Sequence, residues 1–200
     1  MKLVIATSNT GKIAEFKAYL RDSSLELYSL ADFPDMPEII ENGTTFMENA
    51  LIKARTVMSC TGTAALADDS GLEADALDGR PGVMSARFAP TTNARNAKLL
   101  ELMKDVADEK RTARFVCSLA FVRPDGFEWT TTGICEGRIT REPSGNKGFG
   151  YDPVFYYDPM NATFADIAQE VKNKISHRGQ ALKEFKEAIK KCRITENSKR

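Results

Sequence analysis

The sequence predicts an α/β fold, as one domain or as two lobes sharing a sheet, and three observations carry that class. Strand-like apolar runs at 2–6 and 25–30 alternate with helical periodicities, one through Ile13, Phe16, Tyr19 and Leu20 and one through Phe46, Ala50, Ala54 and Val57. Two longer strand-like stretches, 112–122 and 127–132, are joined by Pro124, Asp125 and Gly126 as in a β-hairpin, with 133–139 extending the second arm. The 200 residues, 42% of them apolar, are enough to bury a core of this kind.

Bulk properties remove several function classes. Formal net charge is zero, so no global field draws nucleic acid or a membrane surface. The charge is unevenly spread: every charged residue from Asp22 to Glu48 is acidic, whereas Lys172 to Arg200 carries ten Lys or Arg against three Glu. One half therefore suits a metal cation and the other a polyanion, although a solvated helix face explains most of those lysines. Cys60, Cys117, Cys135 and Cys192 are far apart and the chain has one His, so the cysteines read as reduced, mostly packed thiols and not as a zinc site. With no long apolar run at the N-terminus, neither a secretory signal nor a membrane span is expected, and the location expected is cytoplasmic.

Taken in order, the first strand runs into T-S-N-T-G-K, which comprises Thr7, Ser8, Asn9, Thr10, Gly11 and Lys12, before the first helix. A strand, a polar Gly-containing turn and a helix start leave unpaired N–H groups beside hydroxyls and a lysine, a cradle for an anion. It is not a Walker loop, because Ala6 stands at that motif's first Gly and Ile13 at its Ser or Thr. Asn9 and Thr10 would equally cap an ordinary helix. Thr45 with Glu48 forms a capping box for the second helix, and Glu41 lies just outside that helix start.

The stretch 64–88 organises the rest. Ala64 to Ala67 suits a short buried strand that is expected to end at Asp68, Asp69, Ser70 and Gly71. Two adjacent carboxylates there call for a cation, a proton or backbone donors to offset their repulsion, and a hard divalent metal does so well. A turn-containing loop is expected over 78–92 and a helix over 93–106. Ser144 to Pro153, S-G-N-K-G-F-G-Y-D-P, reads as a glycine-rich loop offering the rings of Phe149 and Tyr151 to a planar base, or folding them back on the core, with Asp152 held extended by Pro153. Ser176 is a plausible cap for a last helix whose buried face is Leu182, Phe185, Ala188, Ile189 and Cys192. His177 and Arg178 then sit in its first turn, opposing the helix dipole and calling, with Lys172, for an anion or a ligand.

Five segments, T-S-N-T-G-K, E-N-G-T-T-F-M-E-N-A-L-I-K-A-R, A-D-D-S-G-L, G-F-G-Y-D-P and I-S-H-R-G-Q-A-L-K, together resemble the inosine triphosphate pyrophosphatase family, the dITP/XTP or non-canonical purine nucleoside triphosphate pyrophosphatases. The match runs from the first strand to the last helix. The resemblance implies an elongated, two-lobed fold around a long mixed β-sheet, one pyrophosphatase domain over 1–200, an active cleft between the lobes, and a homodimer. It also implies magnesium-dependent cleavage of purine nucleoside triphosphates between the α and β phosphates. Carried over by position, Thr7 to Lys12 hold the phosphates, Glu41 and Asp69 bind magnesium, and Asp69 accepts the proton. Ser70, Phe149, Gly150, Tyr151, Asp152, Lys172, His177 and Arg178 contact substrate.

That chemistry suits the residues. A triphosphate repels hydroxide, so magnesium with Lys12 and Lys172 must neutralise its oxygens while Asp69 deprotonates water and Asp68 supports Asp69 from behind. Hypoxanthine and xanthine present a 6-oxo acceptor to Arg178 or main-chain N–H groups, where adenine would set donor against donor. Two other readings compete: a Maf-type pyrophosphatase for modified pyrimidine nucleotides, and a nucleotide-binding regulator without turnover.

Overall fold

The computed structural model describes residues 1–21 and 23–197, with side chains to residue 191. Asp22, the side chain of Cys192, and Lys199 and Arg200 of the basic run lie outside the described residues. Among the described residues seven strands form one mixed sheet in the order β2-β1-β3-β4-β5-β6-β7, flanked by helices, as the α/β class requires. None of the described helices is long and apolar enough to cross a membrane.

The chain starts with β1 (Lys2–Ile5), α1 (Thr10–Leu20) and β2 (Glu26–Ser29). Strand β1 pairs in parallel with β2 and with β3, which puts α1 in a crossover connection. Helix α2 (Phe46–Thr61) begins at the capping box: the Thr45 hydroxyl accepts from the Glu48 N–H at 3.1 Å, and Glu48 Oε2 accepts from the Thr45 N–H, also at 3.1 Å. It ends at Gly62, which is left-handed at φ +62° and returns its N–H to the Met58 carbonyl.

Strand β3 (Ala65–Ala74) corrects the expectation drawn from the D-D-S-G segment. The strand does not end at the aspartates but runs through Asp68, Asp69, Ser70 and Gly71 to Ala74, buried along most of its length. Helix α3 (Thr92–Leu102), capped by Thr91, is shorter than its apolar pattern suggests. After Leu102 the N–H groups of Lys104 and Val106 bond three residues back, so the chain tightens into turns. Strands β4 (Thr112–Val122) and β5 (Glu128–Ile139) are joined by the expected turn, with Arg123 N–H bonded to the Phe127 carbonyl at 2.9 Å. Strands β6 (Phe155–Tyr157) and β7 (Ala162–Thr163) and helix α4 (Gln169–Ile175) are too short to show a periodicity, and the last helix, α5 (His177–Asn197), follows directly.

Contacts divide the chain into two compact units. The first comprises residues 1–69, 118–133 and the last helix from Arg178; the second comprises 70–117 and 134–177. In the first, Ala65 and Ala67 of β3 pack with Ala50, Ala54 and Val57 of α2, and small side chains let the helix sit close. In the second, an aromatic core gathers Phe115, Phe155 and Phe164, with Phe115 and Phe155 ring centroids 4.5 Å apart. Cys117 and Cys135 are buried thiols, and burial with Glu136 nearby pushes Cys135 up to about 12; Cys60 is exposed.

Replacing Thr45 with Ala removes one half of the α2 cap and is expected to lower stability by about 1 kcal/mol. Urea unfolding followed by far-UV circular dichroism should show a lower midpoint at unchanged slope.

Candidate active site

The first unit contains the pair Asp68 and Asp69 on β3. Alternation along a strand sends consecutive side chains to opposite faces, so the two carboxylates do not share one site. Asp69 falls on the face of Ala65 and Ala67 and meets α2; Asp68 points the other way, to α1 and α5.

Asp68 has a fully buried side chain bound by two cations, Lys12 Nζ at 3.0 Å and Arg178 Nη2 at 2.9 Å. Burial is the largest single effect on its pKa and acts upward, but Lys12, Arg178 and Lys53 together outweigh it, and the carboxyl is held well below the usual range. Arg178 also donates through Nε to Asp68 at 3.2 Å and through Nη1 to Glu15 of α1 at 2.5 Å. The anion called for by a cation in the first turn of the last helix is thus supplied internally. Glu15 was not among the residues expected from the sequence.

On the opposite face, Lys53 of α2 lies 2.9 Å from Asp69 Oδ1 and 2.9 Å from Glu41 Oε2. Burial would lower the lysine's pKa, but Asp69, Asp68 and Glu41 more than offset it and hold it raised. Asp69 itself is pushed up, by burial first and by Glu41 too, against the pull of Lys53. Asn49, four residues before Lys53 and so on the same face of α2, donates to Asp69 Oδ2 at 3.2 Å. Its other end accepts the Gly43 N–H at 2.8 Å. A Cβ on Gly43 would come within 2.7 Å of Glu48 Cβ, so only glycine lets this loop lie against the helix start and bring Glu41 to Lys53. Neither Asn49 nor Lys53 was anticipated, yet a lysine seven residues after Phe46 on the apolar stripe of α2 was a visible signal.

In the turn 7–12, Asn9 caps α1: its Oδ1 accepts the Lys12 N–H at 3.1 Å, and Thr7 Oγ1 accepts the Asn9 N–H at 3.2 Å. The capped helix start is therefore real, and it leaves Ser8, Thr10 and Gly11 beside Lys12 at the end of β1, with Ser8 and Thr10 exposed.

The remaining expected residues lie in the second unit. Asp152 is buried; its Oδ2 accepts from Lys172 Nζ at 2.5 Å and from the Phe149 N–H at 2.8 Å. It heads a short 3-10 turn, Asp152–Val154, and is not extended as the following proline suggested, because its carboxylate turns inward to the lysine. Lys172 Nζ stands 4.8 Å from the centroid of the half-buried Phe149 ring. Tyr151 is not offered as an aromatic face: it packs in the core, donates its hydroxyl to the Ser85 carbonyl at 2.9 Å, and is pushed up to about 12 by burial. His177 is buried and stacks on Phe115 at 4.8 Å between centroids. Ser70 is half-buried on β3.

Among the described residues no three His, Cys, Asp or Glu converge as a metal cage. Glu41 and Asp69 nonetheless aim hard oxygen donors at one positive centre, Lys53 Nζ. Magnesium is commonly held by one or two carboxylates together with substrate phosphates and water, and this donor pair fits such an ion.

Fold and site define the class: a mixed-sheet α/β protein whose ionisable residues gather about the two aspartates of an interior strand, β3. The chain belongs to the Ham1 family, whose model matches residues 3–188. It is 49% identical over 197 residues to the dITP/XTP pyrophosphatase of Desulforamulus reducens, across 97% of this chain and 98% of that protein. It is equally 49% identical over 191 residues to the enzyme of the same name from Geobacter sulfurreducens, across 94% of this chain and 96% of that one. Among solved structures, a HAM1 protein from Coxiella burnetii aligns with TM-score 0.88 at 41% identity, covering 96% of this chain and 99% of its own. The resemblance drawn from the five segments is borne out.

Asp68→Ala should leave Lys12 and Arg178 without their shared carboxylate. A loss of about 3–5 kcal/mol in urea unfolding is expected, whereas Glu41→Gln, at a partly exposed group, should change stability little.

Proposed function

We propose that the protein is a magnesium-dependent nucleoside triphosphate pyrophosphatase. It hydrolyses non-canonical purine nucleotides, ITP, dITP, XTP and dXTP, to the monophosphate and pyrophosphate, and so clears deaminated purines from the nucleotide pool. The observation that carries this reading is 49% identity over 97% of the chain to a dITP/XTP pyrophosphatase, together with Glu41 and Asp69 joined on one lysine. We read 1–200 as a single catalytic domain. A homodimer and a cytoplasmic location complete the proposal on the family resemblance.

Glu41 and Asp69 would hold magnesium, which when bound neutralises phosphate oxygens and helps acidify water. The turn Thr7 to Lys12 grips the triphosphate through N–H groups, hydroxyls and the Lys12 ammonium. Asp69 orients the attacking water and takes its proton as oxygen adds to the α-phosphorus and the bond to the bridging oxygen breaks, releasing pyrophosphate. A carboxylate whose pKa is pushed upward is a better proton acceptor for this step, and Asn49 and Lys53 fix its direction. Lys53 adds positive charge next to both carboxylates.

Base recognition falls to Phe149 to Asp152, Lys172, His177 and Arg178, with Ser70 a further contact. The 6-oxo group of hypoxanthine or xanthine accepts from Arg178, which Asp68 and Glu15 orient, or from main-chain N–H groups, whereas the 6-amino group of adenine meets donors. Tyr151 serves through its place in the turn, since its ring is committed to the core.

A panel of triphosphates with and without magnesium tests the proposal. Turnover of dITP and XTP far above dATP, dUTP and UTP, lost on chelation, supports it; preference for pyrimidines, or tight ITP binding without pyrophosphate release, overturns it. Asp69→Asn, a near-isosteric change, is expected to lower kcat by at least about a hundredfold in a folded protein, read by pyrophosphate release and circular dichroism. Lys12→Ala should mainly raise KM.

A further inference from the structure

Asn96 lies within α3 and is only 5% exposed. Its Nδ2 donates to the Gly150 carbonyl at 3.2 Å, across 54 residues of chain. A carbonyl can only accept, so the donor end of the amide must face it. Its Oδ1 is buried and has no hydrogen-bond partner among the described residues. A half-matched amide in an apolar helix face is costly, and packing alone would favour an aliphatic residue there. The contact with Gly150 is what sets this position apart.

Gly150 belongs to a turn in which two left-handed glycines, Gly148 at φ +71° and Gly150 at φ +65°, bracket Phe149. Asp152 fixes the first half: its carboxylate takes the Phe149 N–H and lies where any side chain on Gly148 would collide. The second half has its peptide carbonyl held by Asn96. Rotation of the Gly150 peptide would change the pitch of the Phe149 ring against Lys172, and glycine offers little conformational resistance to that rotation.

We infer that Asn96 is a positioning residue for the Gly148–Asp152 turn, acting on affinity for the purine base through the Gly150 carbonyl. The inference rests on the proposed function, in which this turn meets the base. Asn96→Ala removes the donor, and Asn96→Asp keeps the shape while setting acceptor against acceptor. In both, KM for dITP should rise about tenfold, the worth of one hydrogen bond. The margin of dITP over dATP in kcat/KM should narrow, while kcat and inhibition by inorganic pyrophosphate stay within about twofold of the unsubstituted protein. Thermal unfolding is measured alongside. Unchanged KM in both variants, or a joint fall of kcat, pyrophosphate affinity and thermal stability, overturns the role of Asn96. Absence of dITP turnover in the unsubstituted protein, measured first, overturns the function itself and this inference with it.

Discussion

A carboxylate buried on both sides by protein is tolerated only if its charge is matched, and Asp68 is that group here. Its side chain has no exposure, and its partners, Lys12 and Arg178, come from the first and last helices of the described chain. Those two ion pairs bind the turn 7–12, the middle of β3 and the start of α5 into one electrostatic unit. Removing Asp68 would leave the buried Arg178 guanidinium short of a counter-charge in a medium that solvates it poorly. Asp68 therefore works by holding cations in place, whereas its neighbour is the carboxylate proposed for the acid–base chemistry.

The pleat of β3 makes that division possible. Adjacent residues on a strand face opposite ways, so two carboxylates one bond apart in sequence acquire separate environments and separate pKa shifts, one down and one up. On the Asp69 side, α2 supplies a lysine and an amide at four-residue spacing, and the close approach of Gly43 brings Glu41 to the same lysine. A helix cap, a glycine and a strand alternation, each local, together set the geometry of the Asp69 carboxylate.

Much of this was legible in the residues. Thr45 and Glu48 mark the start of α2 because a capping box needs that spacing, and the hairpin is marked by Pro124 to Gly126. The D-D-S-G segment misleads for a physical reason: two adjacent acids look incompatible with a strand until cations distant in sequence are known to lie on each face, and Arg178 is 110 residues away. Lys53, Asn49 and Glu15 were missed because a polar residue on a helix is by default a solvated one, and only the apolar stripe around Lys53 contradicts that. Strands β6 and β7 are shorter than any period that could reveal them. Tyr151 shows the limit of composition, since a glycine-rich aromatic loop offers one ring and packs away the other.

Dependence on Arg178 also has a consequence for biosynthesis. While the chain is still being made, every described strand of the sheet emerges before the last helix, so a partial product holds Asp68 beside Lys12 but without Arg178. Such a nascent polypeptide cannot close its ionic centre until the start of α5 has been made, and premature termination before codon 178 would yield a species open to proteolysis rather than a weakly active enzyme.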